Sequence, residues 1–239
     1  MDVLIVGGTR FVGYQLVWKL VAGGNRVTLL NRGTHPDPFG GRVDRVRADR
    51  SSPAGLAALG KRSFDACVDF AVYNGDDARR TVSALAGRVG HYVMISTGQV
   101  YLVLQDRPKL ARESDYDGPL MPEPADPAEK SEWDYGVGKR AAEDVLTAAW
   151  ESSAFPSTRL RIPMVNGERD YYRRVEGYLW RLLDGGPLLL PDGGAGVAPV
   201  GVTLRGAVGP GCVLKPCVQL FGDGLGDGTW PSAQCPSGP

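Results

Sequence analysis

A glycine-rich turn near the start of the chain restricts the fold more than any other feature. The apolar run of residues 3–6 is followed directly by Gly7 and Gly8, and Gly13 lies inside a helical pattern that begins at Phe11. Glycines placed in this way between a strand and a helix allow a tight turn, and the N–H groups that open the helix then face a pyrophosphate. The stretch predicts a dinucleotide-binding turn, with an ordinary strand-to-helix turn as the alternative.

Short β-branched runs alternate with helical patterns over the first two thirds of the chain. Strands are predicted at residues 3–6, 26–30, 43–48, 66–70, 92–96 and 158–162, and helices at residues 11–22, 53–59, 77–88, 135–150 and 171–183. Strict alternation implies right-handed crossovers and a parallel sheet that is covered on both faces. We therefore predict a doubly wound parallel α/β sheet, a Rossmann fold. A proline-rich loop over residues 102–133 is expected to border the site.

Charge and composition exclude several classes of protein. The 27 basic and 27 acidic residues cancel, which argues against a surface for nucleic acid or anionic membrane. No stretch reaches the roughly 20 apolar residues that cross a bilayer, and no basic segment precedes the first strand. The four cysteines lack zinc-site spacing and are interpreted as reduced thiols, so no metal is expected. These observations predict a soluble, cytoplasmic protein.

The residues that follow the second strand indicate which dinucleotide is bound. An acidic residue there would accept hydrogen bonds from the ribose of NAD, but this chain has Asn31 and Arg32. Because arginine accommodates the 2′-phosphate of NADP, we expect NADP, with NAD as the alternative. Asp49 and Arg50, after the third strand, are predicted to meet the adenine. Arg10 is predicted to contact a cofactor phosphate, with a solvated surface arginine as the alternative.

Three further side chains form a candidate catalytic group. Tyr135 and Lys139, in the sequence YGVGK, lie four residues apart in a helical segment and therefore share one helix face. A tyrosine ionises near pH ~10 on its own, so a nearby cation is needed if it is to carry a proton. Thr97 follows the fifth strand, at the carboxyl edge of the sheet where ligands of open α/β sheets bind.

These motifs, in this order, make residues 1–195 resemble the extended short-chain dehydrogenases/reductases, the NAD(P)-dependent epimerase/dehydratase family. In GGTRFVG, Arg10 stands where the family's middle glycine normally lies, a variant of an atypical branch that includes the chloroplast stem-loop RNA-binding proteins. Thr97, Tyr135 and Lys139 match the catalytic Ser/Thr, Tyr and Lys of the family. Residues 160–167, LRIPMVNG, are similar to the segment that borders nicotinamide and substrate.

The resemblance implies hydride exchange at a carbinol carbon. Tyr135 would move the hydroxyl proton, Thr97 would hydrogen-bond the same oxygen, and Lys139 would hold the nicotinamide ribose and lower the pKa of the tyrosine. Cofactor contacts are expected along the glycine turn, the strand ends and the catalytic helix, at Gly7, Thr9, Arg10, Phe11, Val12, Gly13, Asn31, Arg32, Asp49, Arg50, Ala71, Tyr135, Lys139 and Ile162.

The chain also departs from the family in ways that narrow the reaction. Family dehydratases have an Asp-Glu pair directly after the threonine, and Gly98 and Gln99 cannot replace it as acid and base. Epimerisation or reduction of a nucleotide sugar or a similar hydroxylated small molecule is left. The alternative is a dinucleotide-binding protein without turnover, regulatory or RNA-associated, or a truncated fragment. The expected partners are a small-molecule substrate and, as one option, a second copy of the chain in a homodimer.

The C-terminal part changes abruptly in composition. Residues 192–239 contain 12 glycines and 6 prolines but only 5 charged residues in 48 positions. An out-of-frame reading of a GC-rich gene would produce such a sequence, and a genuine but unusual ending is the alternative. We expect a Rossmann domain over residues 1–165, a small and incomplete substrate lobe over residues 166–197, and an irregular tail over residues 198–239 with weak or absent turnover.

Overall fold

The computed structural model describes residues 1–52, 54–107, 111–185 and 202–204. The chain divides into two compact units, Met1–Pro108 with Asp117–Pro163, and Lys109–Tyr116 with Met164–Pro239. The division into parts 1–165, 166–197 and 198–239 stays a prediction, and most of the tail lies outside the described residues. Within the described ranges, no helix has both the length and the hydropathy that a membrane span requires.

A six-stranded parallel sheet forms the centre of the first unit. Its strands are β1 (Asp2–Val6), β2 (Arg26–Asn31), β3 (Asp44–Arg47), β4 (Phe64–Asp69), β5 (Val89–Thr97) and β6 (Ser157–Ile162). They are ordered β3-β2-β1-β4-β5-β6, so β1 lies in the middle of the sheet. Strands β2 and β3 are added on one side of β1, and β4, β5 and β6 follow on the other side, with β1 and β4 parallel. The predicted doubly wound parallel sheet is confirmed, and its crevice lies at the carboxyl ends of these strands.

Both faces of the sheet are buried, as its apolar strands require. Val3 and Ile5 of β1 belong to one core cluster, and Leu4 and Val6 belong to the other. This alternation follows from the two-residue period of a strand. The helices of the first unit are α1 (Phe11–Ala22), α2 (Gly75–Leu85), α3 (Gln99–Leu102) and α4 (Pro127–Ser153).

Helix α4 begins at Pro127 and not at the predicted residue 135, so the predicted loop 102–133 is shorter than expected. Asp126 caps the helix, because its side chain accepts hydrogen bonds from the N–H groups of Ala128 and Glu129. Proline suits the first helical position, since its missing N–H would have no partner there. Asp126 and Pro127 therefore determine where α4 begins, although the helical spacing of apolar residues in α4 starts later in the sequence.

Two other predicted helices differ from the structure. The segment predicted as helix 53–59 contains a 3-10 helix at Leu56–Leu59, and Gly55 before it lies so close to the backbone of Asp49 that a Cβ would not fit. The helix predicted at 77–88 is α2, which is capped by Asn74 and ends at Leu85. Gly87, with φ of +68°, then turns the chain into β5.

The second unit contains helix α5 (Arg174–Leu183) and a parallel pair of short strands, β7 (Val165–Gly167) and β8 (Val202–Leu204). Helix α5 starts at Arg174 and not at residue 171, and the Arg174 guanidinium pairs with the Asp170 carboxylate at 3.0 Å. Val202–Leu204 lie in the predicted irregular tail, and the irregular character of that tail stays a prediction. Residues 198–201 and 205–239 lie outside the described residues.

Candidate active site

The glycine turn is built so that no side chain fits inside it. Gly7 and Gly8 have φ of +87° and +77°, values that residues with a Cβ rarely adopt. A Cβ on Gly8 would lie 2.4 Å from Cγ2 of Ile5, and a Cβ on Gly13 would lie 2.5 Å from Cα of Gly8. Gly13 therefore lets helix α1 pack closely against the turn.

The amino end of α1 is suited to an anion. Arg10 is its N-cap in an extended conformation and makes no side-chain cap hydrogen bond, and the first turn contains no acidic residue. Thr9 precedes the cap, and Phe11 and Val12 begin the helix. The aligned peptide dipoles and the first N–H groups favour negative charge at this end. The contact of Arg10 with a phosphate stays a prediction.

The carboxyl end of β2 holds a small polar cluster. The Asn31 side-chain oxygen accepts hydrogen bonds from the Gly33 N–H, at 2.9 Å, and from the Arg47 guanidinium. Arg47 lies there because β2 and β3 pair in parallel with Asn31 opposite Arg47. Arg32 is exposed beside this cluster. Sequence reasoning missed Arg47, which could have been found by aligning the two strand ends. The Arg47 guanidinium also lies 3.5 Å from the Asp37 carboxylate.

Arg50, which was predicted to meet the adenine, is buried among carboxylates after β3. Its guanidinium is buried, 2.7 Å from the Asp69 carboxylate and 2.9 Å from the Asp77 carboxylate, and it donates to the Thr81 hydroxyl at 2.7 Å. A buried cation must be paired, and this one is neutralised by carboxylates of β4 and α2. In the structure Arg50 joins the loop after β3 to β4 and α2, and its contact with the adenine stays a prediction. Asp49 remains exposed at the strand edge.

Two glycines let α4 approach the sheet edge closely. A Cβ on Gly136 would lie 2.5 Å from Cγ1 of Val103, and a Cβ on Gly138 would lie 2.6 Å from the backbone oxygen of Tyr73. Both glycines lie between Tyr135 and Lys139 in the sequence YGVGK. The helix turn that carries the two candidate catalytic residues is therefore pressed against α3 and against the loop that follows β4.

Lys139 is buried where these elements meet. Its side chain is 2 % exposed, and its ammonium donates a hydrogen bond to the Ile95 oxygen at 2.8 Å. The ammonium lies 5.8 Å from the ring centroid of Tyr135 and 5.0 Å from that of Tyr73, both within cation–π range. Burial lowers the pKa of Lys139 to about 8, although the charges of Asp69 and other carboxylates oppose the shift.

Thr97 ends β5, two residues after the carbonyl that holds Lys139. Its hydroxyl oxygen accepts a hydrogen bond from the Gln99 N–H at 3.2 Å. Thr97 pairs in register with Ile162 of β6, whose oxygen accepts from the Gly98 N–H at 2.9 Å. The ring of Tyr135 is 38 % exposed and thus accessible to a ligand. The fold brings Thr97, Tyr135 and Lys139 to the same edge of the sheet.

The remaining predicted residue, Ala71, follows β4 at this edge. Its N–H donates to the Asp69 carboxylate at 2.8 Å. Sequence reasoning missed Tyr73, which follows it and whose ring lies over the Lys139 ammonium. No local pattern marks such an aromatic residue, because its contact depends on how α4 packs on the loop after β4.

The family model described as the NAD dependent epimerase/dehydratase family matches residues 3–197 of the chain. The chain belongs to this family. The glycine turn, the strand-end threonine and the Tyr-Lys helix of this epimerase/dehydratase family member all lie within the matched residues.

Two curated relatives are similar to this family member over most of its length. A 2'-dehydrokanamycin reductase of Streptomyces kanamyceticus is 27% identical over 200 residues, which are 82% of this chain and 53% of the reductase. The chloroplast stem-loop binding protein of 41 kDa b of Arabidopsis thaliana is 25% identical over 213 residues, 83% of this chain and 51% of that protein. The chain thus spans about half the length of the curated relatives it matches.

Solved structures of the same architecture include two epimerases. A UDP-galactose 4-epimerase has a TM-score of 0.59 at 17% identity, covering 79% of this chain and 65% of its own. The UDP-glucose 4-epimerase of Thermus thermophilus, solved as a complex with NAD, has a TM-score of 0.58 at 21% identity, covering 79% and 64%. These likenesses show the fold of the epimerase/dehydratase family member.

Proposed function

We propose that the chain binds NAD(P) and exchanges a hydride at a carbinol carbon of a nucleotide sugar or a similar hydroxylated small molecule. The observation that carries the proposal is the buried Lys139 ammonium, which lies against the Tyr135 ring and bonds to β5 just before Thr97. A buried cation beside an accessible phenol, at the ligand-binding edge of a doubly wound sheet, is suited to proton transfer.

The residues present fit a dinucleotide. A Cβ at Gly7, Gly8 or Gly13 would fill the turn. Because these glycines have none, room is left for the pyrophosphate at the amino end of α1. The adenosine ribose would be held by Asn31 and Arg32. Contacts nearer the nicotinamide are assigned to Ala71, Tyr135, Lys139 and Ile162. When bound, the nicotinamide ring supplies the hydride acceptor or donor.

In the proposed reaction, the ionised Tyr135 phenolate takes the proton from the substrate hydroxyl, and in the reverse direction the neutral Tyr135 phenol returns it. The Thr97 hydroxyl donates a hydrogen bond to the same substrate oxygen and holds it near the phenol. The Lys139 ammonium favours the ionised phenol by its charge and donates to the nicotinamide ribose. Epimerisation or reduction is supported over dehydration, because Gly98 and Gln99 supply no acid–base pair.

NADP is the proposed cofactor, with NAD as the alternative. Neither the last residue of β2, Asn31, nor the next residue, Arg32, is acidic, and the cations of Arg32 and Arg47 flank Asn31 at this strand end. Arginine and the absence of an acidic side chain favour a 2′-phosphate, although several solved relatives of the fold contain NAD. Nicotinamide fluorescence, measured while the protein is titrated separately with NADPH and NADH, tests the preference. Tighter binding of NADH would contradict it.

Substitution of Tyr135 tests the reaction. Tyr135→Phe removes the phenolic proton and keeps the ring, so turnover of UDP-galactose or UDP-glucose should fall by roughly a hundredfold or more while NADPH still binds. Tyr14→Phe is the matched control, because the Tyr14 ring packs on Trp18 and Phe39 in another part of the unit. Unchanged turnover in Tyr135→Phe would refute the proposed role of the phenol.

A dinucleotide-binding protein without turnover is the second candidate. The similarity to the chloroplast stem-loop binding protein favours it, whereas the zero net charge weakens the case for RNA. NADPH binding without turnover of any nucleotide sugar, together with salt-sensitive binding of a stem-loop RNA, would support this candidate. Turnover that Tyr135→Phe abolishes would support hydride exchange.

A further inference from the structure

A second buried group of polar residues lies one helical turn beyond Lys139. Glu143 of α4 is 1 % exposed, and its carboxylate accepts a hydrogen bond from the Ser96 hydroxyl. The other partner is Arg161, whose Nε and Nη2 donate to the second carboxylate oxygen at 3.0 and 2.6 Å. Arg161 also donates to the Tyr101 hydroxyl at 2.5 Å. The carboxylate is therefore bonded to β5 and to β6 at once.

The two partners of Glu143 are direct neighbours of residues in the proposed site. Ser96 precedes Thr97 at the end of β5, and Arg161 precedes Ile162 at the end of β6. Lys139 lies four residues before Glu143 and thus on the same side of α4. A bidentate arginine–carboxylate pair fixes both distance and orientation between the groups that it joins.

We propose that Glu143 is a positioning residue for the catalytic group, an inference that rests on the proposed function. It holds the ends of β5 and β6 against the helix turn that presents Lys139. Its negative charge, buried on the same face of α4, also helps to keep the Lys139 ammonium charged. The first effect orients Thr97, and the second sustains the cation that Tyr135 needs.

The charge effect follows from what surrounds the Lys139 ammonium. Burial disfavours its charged form, the carboxylates of Asp69, Glu143 and Asp77 favour it, and the guanidinium of Arg50 opposes them. Asp69 and Asp77 face Lys139 from β4 and α2, and both are already paired with Arg50. The aromatic rings that face the ammonium belong to Tyr73 and Tyr135. Glu143 is thus the carboxylate that acts from the catalytic helix itself.

The decisive variant is Glu143→Gln, which keeps the shape of the side chain and removes its charge. The titration of Lys139 is followed by NMR of protein labelled with ¹³C-lysine and without cofactor, with Lys139→Met to assign the signal. We expect Lys139 to lose its proton at lower pH in Glu143→Gln than in the wild type, since loss of a nearby anion disfavours the ammonium. Glu143→Asp, which keeps the charge, should titrate closer to the wild type.

A second measurement connects the effect to the cofactor. In the wild type, NADPH affinity should fall as pH rises through the Lys139 titration near pH 8. In Glu143→Gln the same fall should begin at lower pH, a shift that a loss of packing alone would not cause. Thr147→Ala is the matched control, because the Thr147 hydroxyl donates to the backbone oxygen of Glu143 one turn further along α4. Thr147→Ala should leave the Lys139 titration and the pH dependence of NADPH affinity unchanged.

Each result has a defined meaning. An unchanged Lys139 titration in a folded Glu143→Gln variant would overturn the inference. If neither Glu143→Gln nor Glu143→Asp folds, Glu143 serves stability alone and the inference also fails. If the wild type binds neither NADPH nor NADH, the proposed function fails, but the NMR titration still tests the influence of Glu143 on Lys139.

Discussion

Replacement of Lys139 by methionine should make the protein's stability respond differently to pH. In the folded protein, burial lowers the pKa of Lys139 from 10.5 to about 8. Between these two values the unfolded chain binds more protons at this site than the folded chain, so the free energy of unfolding rises with pH. Lys139 therefore weakens the fold at neutral pH, and this penalty disappears as pH rises through the window from about 8 to 10.5.

The size of the effect follows from the same two values. A pKa difference of one corresponds to about 1.4 kcal/mol, so the full penalty well below pH 8 is roughly 3 kcal/mol. Most of it, about 2 to 3 kcal/mol, is relieved between pH 7 and pH 10. Lys139→Met contains no titrating group at this position. The free energy of unfolding of the wild type should therefore increase relative to Lys139→Met by this amount over the pH range.

Urea unfolding of both proteins at pH 7 and pH 10 measures the difference. Contacts that methionine cannot make, such as the hydrogen bond to the Ile95 oxygen, change the free energy of unfolding by a similar amount at both pH values. Lys130→Met is the control, since Lys130 is half-exposed on the same helix and its carboxylate partners raise its pKa, which moves its titration above this range. An equal difference between wild type and Lys139→Met at both pH values would refute the reasoning.

Two further substitutions test the close approaches and the choice of cofactor. Gly138→Ala places a Cβ 2.6 Å from the Tyr73 backbone oxygen and should lower the free energy of unfolding by about 1 to 3 kcal/mol. The same change at Gly177 of α5, which has open space around it, should cost nothing, and equal urea midpoints for the two variants would contradict the packing argument. Asn31→Asp puts a carboxylate at the end of β2 and should shift the ratio of NADPH to NADH affinity about tenfold towards NADH, roughly 1.4 kcal/mol. A fluorescence titration that finds the ratio unchanged would show that the cofactor ribose does not lie there.

The parts of the fold that local patterns encode were predicted well. Apolar runs with turn signals located the six strands, and helix α1 was predicted with its observed bounds, Phe11–Ala22. The errors occurred where a capping residue outweighs the apolar period. Asp126 and Pro127 start α4 early, and the segment before β4 forms only a short 3-10 helix that begins after Gly55.

Site residues whose placement depends on local spacing could be predicted from the sequence. Residues whose placement depends on pairing between distant elements could not. The four-residue spacing of Tyr135 and Lys139 is a local property of a helix, and both residues lie as expected. Arg50 differs, because its partners Asp69 and Asp77 are 19 and 27 positions away and become neighbours only when β4 and α2 pack. A local sequence pattern cannot predict a buried ion pair between residues so far apart in the chain.

The central position of β1 has a consequence for synthesis of the chain. Val3 of β1 pairs with Val27 on one side but with Ala66 on the other, so β1 lacks its second neighbour until 63 more residues have followed Val3. At roughly 5 to 20 residues per second, a ribosome needs about 3 to 13 s to add them. Throughout this interval, an apolar strand with an open edge is available for pairing with other nascent chains. Slow parallel pairing makes this the stage at which a chaperone would most improve the yield of folded protein.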